Sequence, residues 1–273
     1  SDWGLIYDYL EERHPSEFGF EQVVVSHAWT QFDEETEILC EAAKIPNQVS
    51  DLEDMIEKVD GVVIARDDHE NHYEMAIPFL EAGKHVFVDK PLSLKPEELE
   101  KLKHYLENGQ LMSCSGLRYA RELDEPRTRL ETYGNMKLVR GTILNDWERY
   151  GVHLIDAILN VLEVRPTSVG SHGADHDSIH VTLSDGTVLQ LDALGKVSPV
   201  ISVGFYGTDN WSRHDLSDNF TAFRRTLWHF IHSIRTGEPP IPPQETLDVM
   251  RILIAGRRSM DHENQVSIEE IEY

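Results

Sequence analysis

The chain is predicted to be α/β: a doubly wound parallel sheet followed by a second α+β domain with an open, mostly antiparallel sheet. Three observations predict it. The stretch from Gly61 to Leu94 reads as strand, polar loop, helix, strand and Lys-Pro turn. Strand and helix patterns alternate up to Ser115. After Gly116 the rhythm changes to period-two runs separated by turn residues.

Each element has its own signal. Trp3 to Arg13 reads as a helix, with Ser1 or Asp2 placed to cap it. Phe20 to Val25 reads as a strand, and Asp33 to Ala43 as a helix that Ile45-Pro46 ends. Ser50 to Val59 reads as a short helix, because Ser50 and Glu53 have capping-box spacing. Val62, Val63 and Ile64 form an apolar run without polar alternation, as a strand buried on both faces requires. Met75, Ile77, Phe79 and Leu80 give the next segment an apolar helical face, and Gly83 stops it. Val86 to Val88 is a second buried run. The unit is therefore β-α-β, and Asp89-Lys90-Pro91 lies at the carboxyl end of its second strand. Open α/β sheets bind ligands at that edge. Pro96 to Asn108 is a helix closed by Gly109, and Leu111 to Ser115 a strand.

Beyond Gly116, Lys137 to Leu144 alternates as a strand. Val152, Ile155, Ile158, Leu159 and Leu162 make Gly151 to Leu162 an amphipathic helix. Ser178 to Leu183 and Thr187 to Leu194 are strands joined by the hairpin turn Ser184-Asp185-Gly186, with a third strand at Val200 to Tyr206. Thr221 to Thr236 is a helix ended by Gly237, and Glu245 to Met260 is a last long helix. The expected domains are 1–116 and 117–273.

Bulk properties narrow the function. The 273 residues suffice for a large core and two domains. No apolar run approaches a membrane span and no signal segment opens the chain, so a cytoplasmic setting is expected. Cys40 and Cys114, the two cysteines, match no metal or redox spacing. A formal charge of -24 repels phosphate, which argues against non-specific binding to nucleic acid or anionic membranes. The acid is spread along the chain, as for a solvated surface or an adaptation to high salt. No nucleophile elbow, P-loop or zinc spacing occurs.

Several segments together resemble the Gfo/Idh/MocA family, the glucose-fructose oxidoreductase and inositol dehydrogenase type. They are HYEMAIPFLEAGKHVFVDKPLS, with Asp89-Lys90-Pro91 in place of Glu-Lys-Pro, and YGVHLIDAI, which carries His153. FYGTDN, the helical run from Phe220 to Ile234 and Arg235-Thr236-Gly237-Glu238-Pro239-Pro240 complete the likeness. The resemblance implies a Rossmann-like first domain and an open-sheet second domain. It implies hydride transfer between NAD or NADP and a small polyol or sugar-like substrate, in a homodimer or homotetramer. The chain departs from the family in three places. No GxGxxG occurs, and the strand that would precede it is not visible, so residues upstream of Ser1 are expected. The end of the second strand, where relatives place a ribose-binding acid, reads Ser26-His27-Ala28-Trp29. Relatives often place an Asp four residues before the helix histidine; that position is Arg149.

Lys90 is the first candidate: its ammonium can hydrogen-bond a substrate hydroxyl and steer its proton. His153, an imidazole at a helix start, suits the same proton, and the resemblance favours that role over one of packing. The resemblance places Arg66, Asp67, Asp68, His72, Asp89, Lys90 and Pro91 around the nicotinamide end of the cofactor. It places Arg118 and Tyr119, on the crossover between domains, against the substrate. Arg149, beside Tyr150, either clamps a substrate carboxylate or phosphate or pairs with a surface acid. Trp147 reads as packing. Asp67, Asp68, His69 and His72 include metal-ligating types, as do His172, His176 and His180, but neither set has a standard spacing and no metal is expected. Trp211, Arg213 and His214 read as a polar loop. The alternative function is a redox-inactive relative, a ligand-binding or oligomeric scaffold without nucleotide.

Overall fold

A computed structural model of the chain describes residues 8 and 11–272. The helix expected from Trp3 to Arg13 falls mostly outside them. The chain divides into two compact units, 1–62 and 63–273.

In the first unit, strands β1 (His27–Ala28) and β2 (Asn47–Gln48) pair in parallel, His27 opposite Asn47. Helix α1 (Asp33–Ala43) joins them. The strand begins later than its apolar run suggested. Phe20 and Val23 make a single bridge around Gln22, whose φ of 61° turns the chain. The segment after Ser50 forms only a 3-10 turn, Leu52–Met55. Asp51, not Ser50, caps it by accepting the Glu53 N–H at 2.9 Å.

β3 (Gly61–Ile64), which runs across the boundary at residue 62, β4 (His85–Asp89) and β5 (Leu111–Cys114) form a three-stranded sheet in that order. Helices α2 (His72–Glu81) and α3 (Pro96–Glu107) connect its strands. Val63 is 48% exposed, so β3 is not the strand covered on both faces that its apolar run suggested. β4 and β5 are parallel, with Val86 opposite Leu111 and Asp89 opposite Cys114. That register ends both strands level, so Lys90 and Ser115 leave the same sheet edge.

The rest of the second unit is built on a seven-stranded sheet of β6 (Met136–Ile143), β7 (Pro166–His172), β8 (Asp177–Leu183), β9 (Val188–Ala193), β10 (Ile201–Gly207), β11 (Trp211–Asp215) and β12 (Val266–Ser267). Its order is β11-β10-β6-β9-β8-β7-β12, antiparallel except where β6 and β9 run in parallel. The architecture is thus the expected one, parallel strands followed by a mixed, mostly antiparallel sheet. β11 occupies the segment read as a polar loop. It is an edge strand whose outward residues Trp211, Arg213 and Asp215 are exposed, so its polar alternation hides it.

Helices α4 (Asp124–Thr128), α5 (Val152–Leu162), α6 (Asn219–Thr236) and α7 (Pro243–His262) complete the unit. α7 packs on both β7 and α5. Val139, Ile143, Leu154, Ile158, Val181, Leu191 and Phe205 are fully buried in the core. A π-helical turn, Trp147–Gly151, leads into α5. Trp147 is buried, and its Nε1 donates to the Leu253 carbonyl of α7 at 3.1 Å. Gly256 lies against the indole; a Cβ there would stand 2.6 Å from Nε1. No described helix is long and apolar enough to cross a membrane.

The Gly256 contact is testable. Gly256→Ala overpacks the indole and should cost about 1–3 kcal/mol. Urea unfolding followed by tryptophan fluorescence measures it; an unchanged midpoint would show that the contact between Trp147 and α7 can open.

Candidate active site

Lys90 follows β4 with most of its side chain covered; 12% is exposed. Its Nζ lies 3.5 Å from Asp67 Oδ1 and 3.8 Å from Asp89 Oδ2. These separations are long for hydrogen bonds, so the ammonium is steered by two carboxylates and not clamped by either. Burial pushes the Asp89 carboxyl up, and the Lys90 charge works against that shift.

The loop after β3 is tied down beside it. Arg66 Nε donates to Asp68 Oδ1 at 2.6 Å, the second guanidinium nitrogen reaches Oδ2, and Asn71 donates to Oδ2 at 2.7 Å. The hydrogen bond from Arg66 holds the Asp68 carboxyl well below the usual range. His72, expected beside the nicotinamide, has both ring nitrogens against backbone carbonyls. It is fully buried, with Nδ1 2.8 Å from the Pro91 carbonyl and Nε2 3.0 Å from the Arg66 carbonyl. Its work is to bind the loop to the Lys90–Pro91 turn.

Opposite stands the start of α5. His153, its second residue, lies with Nδ1 2.7 Å from the Ser115 hydroxyl, just past β5. Tyr150 sets its ring edge-on to the imidazole, with centroids 5.5 Å apart. Burial, and then the Lys90 charge, lower the His153 pKa to about 3. One turn on, Asp156 is buried and accepts the Ser115 N–H at 2.6 Å and an Arg118 N–H at 2.8 Å. Lys90, Cys114, Val152, Asp156 and Thr246 line one narrow crevice.

Arg118, expected against the substrate, is turned inward. It is 3% exposed and held by Asp156 and Glu245. Tyr119 is also buried, stacked on His229 at 4.1 Å. Arg149 is exposed, and its backbone N–H bonds Asp146. Sequence reasoning missed Ser115, Asp156 and Glu245. Two signals pointed to the first two: Ser115 follows a strand at the ligand edge, and Asp156 is an acid one turn beyond His153 on an otherwise apolar helix face. Nothing local marks Glu245. A wider hollow at Asp146, Glu148, Asp177 and Asp261 lies elsewhere, with Arg257 paired to Glu148 and Asp261. Among the described residues no three His, Cys, Asp or Glu side chains gather as metal ligands.

Residues 10–116 match the family model Gfo/Idh/MocA, described as an oxidoreductase family with an NAD-binding Rossmann fold. Over that segment the chain is similar to this family. Its whole fold is similar to solved structures of low identity. The scyllo-inositol dehydrogenase of Lactobacillus casei with bound NAD(H) and scyllo-inositol superposes with TM-score 0.81 at 15% identity, covering 93% of this chain and 94% of that one. Myo-inositol 2-dehydrogenase of Lactobacillus plantarum gives 0.80 at 17%, covering 94% and 96%. An oxidoreductase domain protein of Kribbella flavida gives 0.78 at 18%, covering 89% and 90%. No curated protein matches the chain.

The edge residues fit one end of a dinucleotide. Asp67, Asp68 and Asp89 put three carboxylates around Lys90 and Arg66, which suits a nicotinamide ring and repels a pyrophosphate.

Two outcomes test this arrangement. Arg118→Met leaves Asp156 charged, buried and without its partner, and should cost about 3–5 kcal/mol in chemical denaturation; a loss below 1 kcal/mol would mean that Asp156 finds other partners. His153 stays neutral in the fold down to about pH 3, while the unfolded chain protonates it near 6.5. The unfolded state then binds more protons between these values, so stability falls as pH drops through that window. His153→Gln should flatten this loss in urea midpoints taken across the window; parallel curves for both proteins would refute the shift.

Proposed function

We propose that the chain is an NAD(P)-dependent oxidoreductase moving hydride between nicotinamide and a hydroxyl or keto carbon of a sugar, cyclitol or related small molecule. The observation that carries this reading is the level ends of β4 and β5, which bring Lys90 and Ser115, with its partner His153, to one sheet edge. The family match of residues 10–116 supports the cofactor class. The inositol named with the Lactobacillus casei structure supports the substrate class.

Bound at this edge, the nicotinamide supplies a hydride acceptor or donor. The chain supplies the proton chemistry. In oxidation the substrate C–H bond breaks with its electron pair, the O–H bond breaks, and the C=O bond forms. The proton passes to Lys90 Nζ, which first releases one of its own protons to solvent, and reduction reverses each change. Asp67 and Asp89 hold the charge that Lys90 then carries. The pinned loop and the covered lysine stem keep the geometry fixed as the proton moves. The end of β1, His27–Ala28, offers no carboxylate to a ribose, and the reading keeps both NAD and NADP. It includes a homodimer or homotetramer through the open sheet, where Arg140 and Trp211 are exposed.

The test is titration with NADH and NADPH, followed by nicotinamide fluorescence. Saturable enhancement is expected with at least one of them. A Lys90→Met protein should still bind but lose about 10²–10⁴-fold in turnover with myo- or scyllo-inositol as probe. No binding of either nucleotide to folded protein would sink the redox reading and favour a ligand-binding scaffold.

A further inference from the structure

His153 has an unusual partner. The Ser115 side chain accepts the Leu117 N–H at 3.1 Å, and Ser115 is fully buried. Its own hydroxyl proton therefore needs an acceptor, since a buried donor without one is costly. The one acceptor within hydrogen-bond distance among the described residues is His153 Nδ1, at 2.7 Å. Were Nδ1 to carry a proton and donate to Ser115, the hydroxyl proton would be buried with nothing to receive it. The network thus leaves Nδ1 bare and puts the ring proton on Nε2. Nε2 has no protein partner among the described residues and is not one of the buried, unpartnered atoms, so it reaches solvent.

The surroundings hold the ring in that form. Lys90 acts on it from the end of β4, Ser115 from the end of β5 and Tyr150 from the π-helical turn. No described carboxylate contacts the imidazole. The nearest in sequence, Asp156, is occupied by the Ser115 N–H and Arg118, and so fixes Ser115 itself. A histidine in this setting resembles a neutral electrophile more than a base.

We propose that Ser115 is a positioning residue that locks His153 as a neutral Nε2–H donor, so that His153 hydrogen-bonds the reacting oxygen while that oxygen's proton is exchanged with Lys90 alone. The identity of that oxygen rests on the oxidoreductase reading; the state of the ring does not. In oxidation the substrate O–H bond breaks and a new N–H bond forms on Lys90 Nζ, which has first given one of its own protons to solvent. The carbon gives up its hydride as described above, and the His153 ring begins and ends with one proton.

Nitrogen-15 NMR of histidine-labelled protein, without ligand, tests this from about pH 5 to about pH 8. The His153 signals are those lost in His153→Gln. We expect an unprotonated Nδ1, a protonated Nε2 in at least about tenfold excess over the other tautomer, and no titration in this range. Ser115→Ala should reduce that excess several-fold, and Ser115→Thr should restore it. A protonated Nδ1 in the wild type, a titration within the range, or an unchanged ratio in Ser115→Ala would overturn the assignment. If Ser115→Ala does not fold, the wild-type spectrum decides. These spectra need neither cofactor nor substrate, so failure to bind NADH or NADPH would sink the oxidoreductase reading and leave them unaltered. A protonated Nδ1 in a protein that binds NADH would overturn the role of Ser115 alone.

Discussion

The site depends on one buried carboxylate. Asp156 stands inside α5 and is 3% exposed. A charge there is tolerable only with donors on both oxygens. The Ser115 N–H supplies one and Arg118 the other, and Glu245 takes the far side of the guanidinium. These bonds tie the exit of β5, the start of the crossover, α5 and α7 into one polar joint within an apolar unit. His153 lies one turn from Asp156 and bonds the same serine. The joint that satisfies Asp156 therefore also sets the imidazole, so structure and chemistry share the same atoms.

The other side of the site works by contrast. Lys90 meets Asp67 and Asp89 at 3.5 and 3.8 Å, and Asp67 is largely in solvent. Such contacts are soft, because solvent screens them and their geometry is loose. Firmness comes from His72, whose two ring nitrogens reach the Arg66 and Pro91 carbonyls and join the loop to the turn. The site thus sets a loosely held charge beside a pinned loop.

Much of the fold was legible in the chain, and the failures have physical causes. Runs such as Val86 to Val88 and the Val152, Ile155, Ile158, Leu159 face could be read because burial and period coincide there. β11 could not, because an edge strand carries polar residues outward and looks like a loop. The strand expected from Phe20 to Val25 shrank to a bridge because Gln22 turns the backbone. Among the site residues, Lys90 and His153 announce themselves by chemistry and position. Arg118, Tyr119 and His72 carry equally suggestive side chains, yet each is buried. A side chain's type does not say which way it points once its backbone position is known.

The chain by itself determined the alternation of strands and helices, the place of Lys90 at a sheet edge and the acidity of the surface. These follow from local pattern, because hydrophobic period and turn residues act over a few positions. Only the tertiary structure decided who partners whom. Level ends of β4 and β5 bring Lys90 and Ser115 to one edge, α5 brings His153 to Ser115, and α7 brings Glu245 to Arg118. Those contacts join residues far apart in sequence. They are chosen by the burial of a whole core, which no local window contains.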